Sequence, residues 1–183
     1  MRKAGNAQKE SGDLVRVCFD RYQKSLAARA GMVAQSLVTD YYRIAPREWK
    51  NMRYEVKTFN ALSSSEVADH ALAQTVCYSF CRQAGRTVIE QGDLYRVCLQ
   101  DHNILEAAAR RKVRLQPMLT YVLTHELIHV VRFGQRLQNV DLPCEMRHLE
   151  ERKVERTTRT ILAHAGYKDM INLFPDHQVN QRN

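Results

Sequence analysis

Glycine, proline and tryptophan are all scarce in this chain of 183 residues, which contains 7 Gly, 4 Pro and 1 Trp. So little glycine and proline excludes collagen-like repeats and long flexible linkers. No apolar run approaches the ~18 residues that a membrane-spanning helix requires, so we expect no membrane span. The length is that of one ordinary domain, which can build a hydrophobic core without disulfide bonds.

A disulfide framework is missing as well, because the 5 cysteines are odd in number and scattered along the chain. Free thiols in a reducing compartment explain this pattern better. Cys77 and Cys81 are predicted to share one helix face, where they are better explained as small buried hydrophobes than as half of a metal site. Residues 1–12 are polar and lack the apolar stretch of a secretory signal, so we expect a flexible N-terminus and a cytoplasmic protein.

Positive charge is in excess, since 28 Lys and Arg against 20 Asp and Glu give a net charge of +8. This surplus suits nucleic acid or another acidic partner. Two clusters are candidates for a basic surface: Arg110–Lys112 with Arg114, and Arg152–Lys153 with Arg156 and Arg159. No groove-reading or base-stacking motif accompanies them, and solvated helix faces explain them better. A basic nucleic-acid-associated protease or binding protein is therefore one alternative function.

Helical periodicity dominates the sequence, and one small sheet is expected in its middle. The predicted helices run from Asp13 to about Leu26, over Met32–Tyr42, from the Ser63/Glu66 capping box to Gly85, over Asn103–Val113, over Met118–Phe133 and over Glu145–Ala165. A strand is predicted at residues 53–59, and a hairpin over residues 87–100 with its turn at Gly92. We therefore predict a mainly helical α+β domain over residues 13–166, with an antiparallel-type sheet and a loose tail at 167–183.

The most informative segment is His125-Glu126-Leu127-Ile128-His129, an H-E-x-x-H pattern inside the most hydrophobic predicted helix. Positions four apart lie one above the other on a helix face, so His125 and His129 can converge on one zinc ion. Glu126 lies about 100° further round at ~3.6 residues per turn. From there it can act as general base on a zinc-activated water. Three ionisable groups in so apolar a helix are costly unless they are paired or bind metal.

This helix resembles the active-site helix of the zincin metallopeptidases, without the later glycine and histidine of the metzincin branch. The last predicted helix is similar to the gluzincin pattern E-x-x-A-[D/N]-x-x-A-x-x-L-L. Its matching offsets hold Glu151, Val154, Glu155, Thr158, Ile161 and Leu162. Val154 and Thr158 replace alanines, and Glu155 stands where Asp or Asn is usual. The resemblance covers residues 117–165 and implies a minimal single-domain zincin fold, a Zn²⁺ cofactor and Glu151 as third ligand.

The residues alone leave alternatives to Glu151 as the third zinc ligand. Glu150 also lies near the apolar stripe of the last helix and is the main rival, and His148 is a weaker one. Glu155 either accepts a hydrogen bond from a ligand histidine or belongs to a solvated charged face.

The resemblance also implies that the strand before the active-site helix borders the cleft and pairs with an extended peptide. We expect Tyr95–Gln100 to be that strand. Asp101 and His102 follow it, either as a cap of the strand end or at the rim of the cleft. The candidates for stabilising the oxyanion are His148, His164 and Tyr167.

The function that the sequence predicts is a zinc-dependent metallopeptidase, in which Glu126 acts as general base on a peptide or protein substrate. The second alternative is a non-catalytic domain whose zinc only joins two helices. Structural zinc usually has four protein ligands, and the sequence offers no obvious fourth. The sequence assigns neither a cleavage preference nor an oligomeric state.

Overall fold

The computed structural model describes residues 17–85, 87–139 and 143–167. Within these ranges the helices are α1 (Arg21–Tyr42), α2 (Pro46–Asn51), α3 (Asp101–Arg111), α4 (Leu115–Gly134) and α5 (Cys144–His164), and the strands are β1 (Tyr54–Lys57), β2 (Ala73–Ala84) and β3 (Thr87–Leu99). The predicted α+β class is confirmed. The predicted N-terminal segment 1–12, the helix start at Asp13 and the tail beyond residue 167 lie outside the described residues.

The three strands form one mixed sheet in the order β1-β3-β2. Strand β2 pairs antiparallel with β3, whereas β1 pairs parallel with β3, from Tyr54 opposite Tyr95 to Lys57 opposite Cys98. The expectation of an antiparallel-type sheet is therefore wrong for β1, although the strand itself lies where it was predicted. A parallel neighbour requires a long connection, and the segment that contains β2 supplies it.

The predicted helix from Ser63 to Gly85 is wrong. The carboxylate of Glu66 does accept a hydrogen bond from the Ser63 N–H at 2.7 Å, but the turn that follows is a single 3₁₀ turn, Ser64–Glu66. Beyond it, β2 is rich in β-branched and aromatic residues (Thr75, Val76, Tyr78 and Phe80), which favour a strand once β3 is available as partner.

The hairpin turn lies at Gly85, which has a φ of +61°, and not at Gly92 as predicted. Gly92 is in the middle of β3, opposite Phe80 of β2. Glycine tolerates positive φ without steric cost, so Gly85 allows the chain to reverse there. The two predicted segments of the hairpin are consequently one strand of 13 residues.

Helix α1 is continuous where two helices were predicted. It begins after Asp20, whose carboxylate accepts a hydrogen bond from the Gln23 N–H at 2.7 Å. Gly31 lies inside this helix, and a Cβ atom there would be 3.9 Å from Leu123 of α4. The buried residues of α1 are mostly small (Ala27, Ala30 and Ala34), which allows close packing against α4.

Helix α4 is the centre of the molecule, because it packs against α1, α3, α5, β2 and β3. The predictions of α4 and α5 are confirmed to within a few residues at each end. Leu119, Leu123 and Leu127 of α4 are almost fully buried, and α5 packs with Val154 and Leu162 in the same core. In the described ranges, no helix combines the length and the apolar character needed to cross a bilayer.

Candidate metal centre

The side chains of His125 and His129 lie side by side on α4. Their ring centroids are 5.1 Å apart, and their ring planes meet at 65°. Each ring directs Nε2 towards Glu151 of α5, with 3.2 Å from His125 Nε2 to Oε2 and 3.1 Å from His129 Nε2 to Oε1. Candidate ligand atoms of these three residues all lie within 4.8 Å of one another. Ligand atoms of a tetrahedral zinc site with ~2.0–2.1 Å bonds are about 3.3 Å apart, so the group is compatible with zinc.

Packing of α5 on α4 brings Glu151 to the histidines. Val154, one turn further along α5, is fully buried in the core, whereas the Glu151 side chain remains 55% exposed. Burial by its neighbours would raise the pKa of Glu151, but hydrogen bonds with His125 and His129 outweigh it and hold the pKa well below its usual range. Glu151 is therefore an ionised carboxylate, open to solvent on one side and facing two imidazoles on the other.

The second nitrogen of each histidine faces a hydrogen-bond acceptor. His125 Nδ1 is 3.6 Å from Glu155 Oε2, and His129 Nδ1 is 3.3 Å from Gln138 Oε1. When a metal ion replaces the proton that each Nε2 shares with Glu151, an acceptor at Nδ1 keeps the remaining proton on Nδ1 and leaves the Nε2 lone pair for the ion. Both Nε2 atoms, which face Glu151, are thus the natural ligand atoms.

Glu155 is fixed between the histidine and a buried tyrosine. The Tyr121 hydroxyl of α4 donates to both of its carboxylate oxygens, at 2.6 and 2.7 Å. Burial would lower the pKa of His125, but the carboxylates of Glu151 and Glu155 outweigh it and raise the pKa to about 10. Of the two roles considered for Glu155, the geometry favours the contact with a histidine over a solvated face.

Glu150 and His148, the two rivals for the third ligand, do not join this group among the described residues. Glu150 is buried, and its carboxylate accepts hydrogen bonds from Arg132 of α4 and, at 2.5 Å, from Lys153 Nζ. Burial would raise the pKa of Glu150, but Lys153 and Arg132 outweigh it and lower the pKa. Glu150 therefore forms a structural link between α4 and α5.

Glu126 faces the sheet rather than α5. It is 6% exposed, and its Oε2 accepts a hydrogen bond of 2.8 Å from the Thr75 hydroxyl of β2. Sequence analysis did not identify Thr75, because the contact spans 51 positions and Thr75 lies in a segment predicted as helix. Gln138 was missed for a similar reason, since it follows α4 in a stretch without periodicity.

The expectation that Tyr95–Gln100 pairs with a peptide is wrong. Residues 95–98 of β3 have β1 on one side and β2 on the other, so neither edge is open. β1 and β2 are the two outer strands of the sheet, and β2 is the one that lies beside α4. In the described residues no strand pairs with the outer side of β2, which we call its open edge. The Gln100 N–H donates to the Leu72 carbonyl at 2.9 Å, so residue 72 directs its main-chain groups towards β3. This direction alternates along a strand, and Ala73, Thr75 and Cys77 therefore direct theirs to the open edge.

Asp101 is buried and His102 is half-buried, and neither belongs to the group formed by His125, His129 and Glu151. The carboxylate of Asp101, the first residue of α3, accepts hydrogen bonds from the N–H groups of Phe19 at 2.8 Å and Phe59 at 3.0 Å. Asp101 is fully buried, and the His102 ring packs edge-on against Phe59. These bonds join the start of α3 to the segments before α1 and after β1, so the Asp101 carboxylate does not cap the end of β3.

Two of the three candidates for the oxyanion lie far from the histidines. His164 is 13 positions after Glu151 on the same helix, which corresponds to about 20 Å. Tyr167 lines a small cavity near the start of α4, together with Arg114, Gln116, Pro117 and Thr120. His148 is the candidate that stays near, one helical turn before Glu151 on exposed surface.

The remaining candidate features concern other chemistry. Cys77 and Cys81 lie on a strand instead of a helix, and four positions at ~3.3 Å each separate them by about 13 Å, which is too far to share an ion.

In both basic clusters some of the positive charge is paired within the chain, because Arg110 is 3.8 Å from Glu106 and Arg159 is 3.8 Å from Glu155. Binding to nucleic acid stays a prediction.

Comparisons of the chain with protein-family models, with curated proteins and with solved structures give no match. Function is therefore inferred from the geometry of the residues themselves. The central feature is a pair of imidazoles and one carboxylate whose ligand atoms converge, with a second carboxylate, that of Glu126, on the neighbouring position of α4.

Proposed function

We propose that this chain is a zinc-dependent metallopeptidase of the gluzincin type. His125, His129 and Glu151 hold the zinc ion, and Glu126 is the general base. The observation that supports this most is the convergence of the two Nε2 atoms on the carboxylate of Glu151, at 3.1 and 3.2 Å. Two ligands from one helix and the third from the next agree with the fold that the motif implies.

The residues around the zinc ligands have distinct tasks in this proposal. When bound, zinc supplies Lewis-acid polarisation of the scissile carbonyl and acidifies a water molecule. Glu126 takes the proton of the attacking water and passes it to the leaving amine. Gln138 accepts from Nδ1 of His129, and the Glu155 carboxylate lies 3.6 Å from Nδ1 of His125, so both residues help to orient the two rings.

The substrate is a peptide or protein chain in extended conformation. It adds as a further strand to the open edge of β2, in place of the expected pairing with β3. Main-chain hydrogen bonds then provide affinity with little dependence on sequence. The exposed side of Glu151 leaves the metal centre accessible to a long chain rather than enclosed around a small molecule. We place the protein in the cytoplasm, in keeping with Cys77, Cys81 and Cys98 being thiols and not disulfides.

Metal analysis combined with a proteolysis assay tests the proposal. We expect about one zinc per chain and hydrolysis of an unfolded substrate such as casein. Glu126→Gln should retain the zinc and lose about 100- to 10,000-fold in activity, because the general base is removed. Glu106→Gln, on the exposed side of α3, is the control that should keep both.

Two results would contradict the metallopeptidase. Purified chain that binds zinc but hydrolyses no substrate in a panel of unfolded proteins would favour a zinc that only joins α4 and α5. Hydrolysis that persists in Glu126→Gln would place the catalytic group elsewhere.

A further inference from the structure

Thr75 is the residue at which the open strand edge and the general base meet. Its hydroxyl donates to Glu126 Oε2 at 2.8 Å and lies 3.4 Å from the Glu126 carbonyl oxygen. Its main-chain N–H and C=O point to the open edge of β2, as the alternation from Leu72 requires. One residue thus offers its backbone to an added strand and its side chain to the carboxylate.

We propose that Thr75 is a positioning residue that couples the pairing of a peptide on the β2 edge to the orientation of the Glu126 carboxylate. The inference rests on the proposed metallopeptidase function, and it adds a dependence of catalysis on how the substrate is bound. Glu126 remains the catalytic residue, and Thr75 acts through it.

The carboxylate depends strongly on this one contact. Within the described ranges, Thr75 is the side chain that donates to the Glu126 carboxylate. The bond engages Oε2 and leaves Oε1 for a water molecule. A β-branched side chain on a strand has little χ1 freedom, so the position of the hydroxyl follows the position of the Thr75 backbone.

Strand β3 bonds the main-chain groups of the neighbours of Thr75, whereas those of Thr75 itself point outward and have no strand partner in the described residues. A peptide that adds to this edge turns β2 into an inner strand and bonds the N–H and C=O of Thr75 directly. Binding energy from main-chain pairing along β2 is then used to orient the general base, which raises kcat and not only affinity. Short substrates that cannot pair along β2 should therefore have a lower kcat.

The test compares Thr75→Val with Thr75→Ser in the zinc-loaded protein. Valine keeps the shape and removes the donor, and serine keeps the donor. We expect Thr75→Val to lower kcat about tenfold while KM and zinc content stay within twofold. Thr75→Ser should restore part of kcat, because serine keeps the donor but lacks the β-branch that restricts χ1. The matched control is Thr158→Val, a buried threonine of α5 that donates to the Val154 carbonyl. Unchanged kcat in Thr75→Val, loss of zinc, or an equal decrease in Thr158→Val would overturn the inference.

A double-mutant cycle without metal gives a readout that does not depend on activity. Thr75→Val is introduced into the wild type and into Glu126→Ala, and the midpoint of urea unfolding is measured for all four proteins. We expect Thr75→Val to lower the midpoint in the wild type and to have at most half that effect in Glu126→Ala. Additive effects would contradict the contact. If zinc-loaded wild type is inactive while this coupling is present, the proposed function has failed and the Thr75–Glu126 contact has not.

Discussion

Two carboxylates in this molecule are held by several donors, yet their surroundings differ in what they can bind. Glu66 is 1% exposed and accepts hydrogen bonds from the Tyr78 hydroxyl at 2.5 Å and from Arg96 Nη1 at 2.6 Å. Glu151 is 55% exposed and faces the imidazoles of His125 and His129. A hydroxyl and a guanidinium are permanent donors to Glu66, whereas an imidazole exchanges its Nε2 proton for a metal ion.

This difference shows that a lowered pKa does not by itself identify a metal site. The hydrogen bonds from Tyr78, from the Ser63 backbone and from Arg96 lower the pKa of Glu66 to about 2 against the effect of burial. The pKa of Glu151 is also lowered, and by the imidazoles of His125 and His129, which can bind a metal ion. The identity of the partners and the access of solvent separate the two clusters, which we call the Glu66 cluster and the Glu151 cluster.

The largest expected effect concerns the Glu151 cluster. Glu151→Ala should lower zinc affinity more than about 100-fold, since loss of even an outer partner of a ligand costs about 10–100-fold. Titration with a zinc-responsive dye measures the affinity. Glu150→Ala is the matched control, because its carboxylate lies one position away and pairs with Arg132 and Lys153. Stoichiometric zinc of unchanged affinity in Glu151→Ala would remove Glu151 from the site.

The second prediction breaks the Glu66 cluster and leaves the Glu151 cluster intact. Glu66→Gln should lower the free energy of unfolding by about 2–3 kcal/mol, because Tyr78 and the half-buried Arg96 lose a charged hydrogen-bond acceptor. Urea unfolding of the metal-free protein measures it, and the zinc affinity should stay within twofold. A decrease in zinc affinity without a decrease in stability would reverse the roles assigned to the two carboxylates.

The Glu151 cluster was largely predictable from sequence, because each of its parts is local. The spacing of His125 and His129 on one helix sets the distance between them. The apolar periodicity of α4 and α5 can also be recognised in each segment of sequence by itself. The helical pattern alone does not choose between Glu150 and Glu151, and only the resemblance to the gluzincin pattern favoured Glu151. One position rotates a side chain by about 100°, so the outcome depends on how α5 is turned on α4.

The sheet was predictable only in part, because strand pairing is non-local. β2 has a capping box before it, and residues such as Leu72, Val76 and Phe80 are also compatible with a helix. Pairing with β3 makes this segment a strand instead of a helix, and no periodicity within β2 identifies β3 as the partner. The same holds for Glu66, whose partners Tyr78 and Arg96 lie 12 and 30 positions away.

The third prediction uses pH to weaken the Glu66 cluster alone. The folded-state pKa of Glu66, about 2, is below the ordinary value of 4.5. Its contribution to stability is therefore complete above pH 4.5 and is lost as the pH falls towards 2, with a magnitude of about 3 kcal/mol. The difference in unfolding free energy between wild type and Glu66→Gln should thus shrink between pH 6 and pH 3. For Glu106→Gln on exposed surface, the difference should stay small throughout.

The smallest predicted effects come from two tyrosines that make the same kind of bond in the two clusters. Tyr78 donates to Glu66 at 2.5 Å, and Tyr121 donates to Glu155, the partner of His125, at 2.6 Å. Replacement of either by phenylalanine removes one hydroxyl and should cost about 1–2 kcal/mol of stability. Zinc affinity is the readout that separates them.

Tyr121→Phe should weaken zinc binding about tenfold, because Glu155 then loses the donor that holds it beside Nδ1 of His125. Tyr78→Phe should leave the zinc affinity within twofold, since Glu66 contacts none of the ligands in the described part of the chain. Equal zinc affinities in the two variants would mean that the orientation of His125 is set by α4 alone. A tenfold difference would show that Glu155 acts on the metal through the histidine, because both substitutions remove the same group from a carboxylate partner.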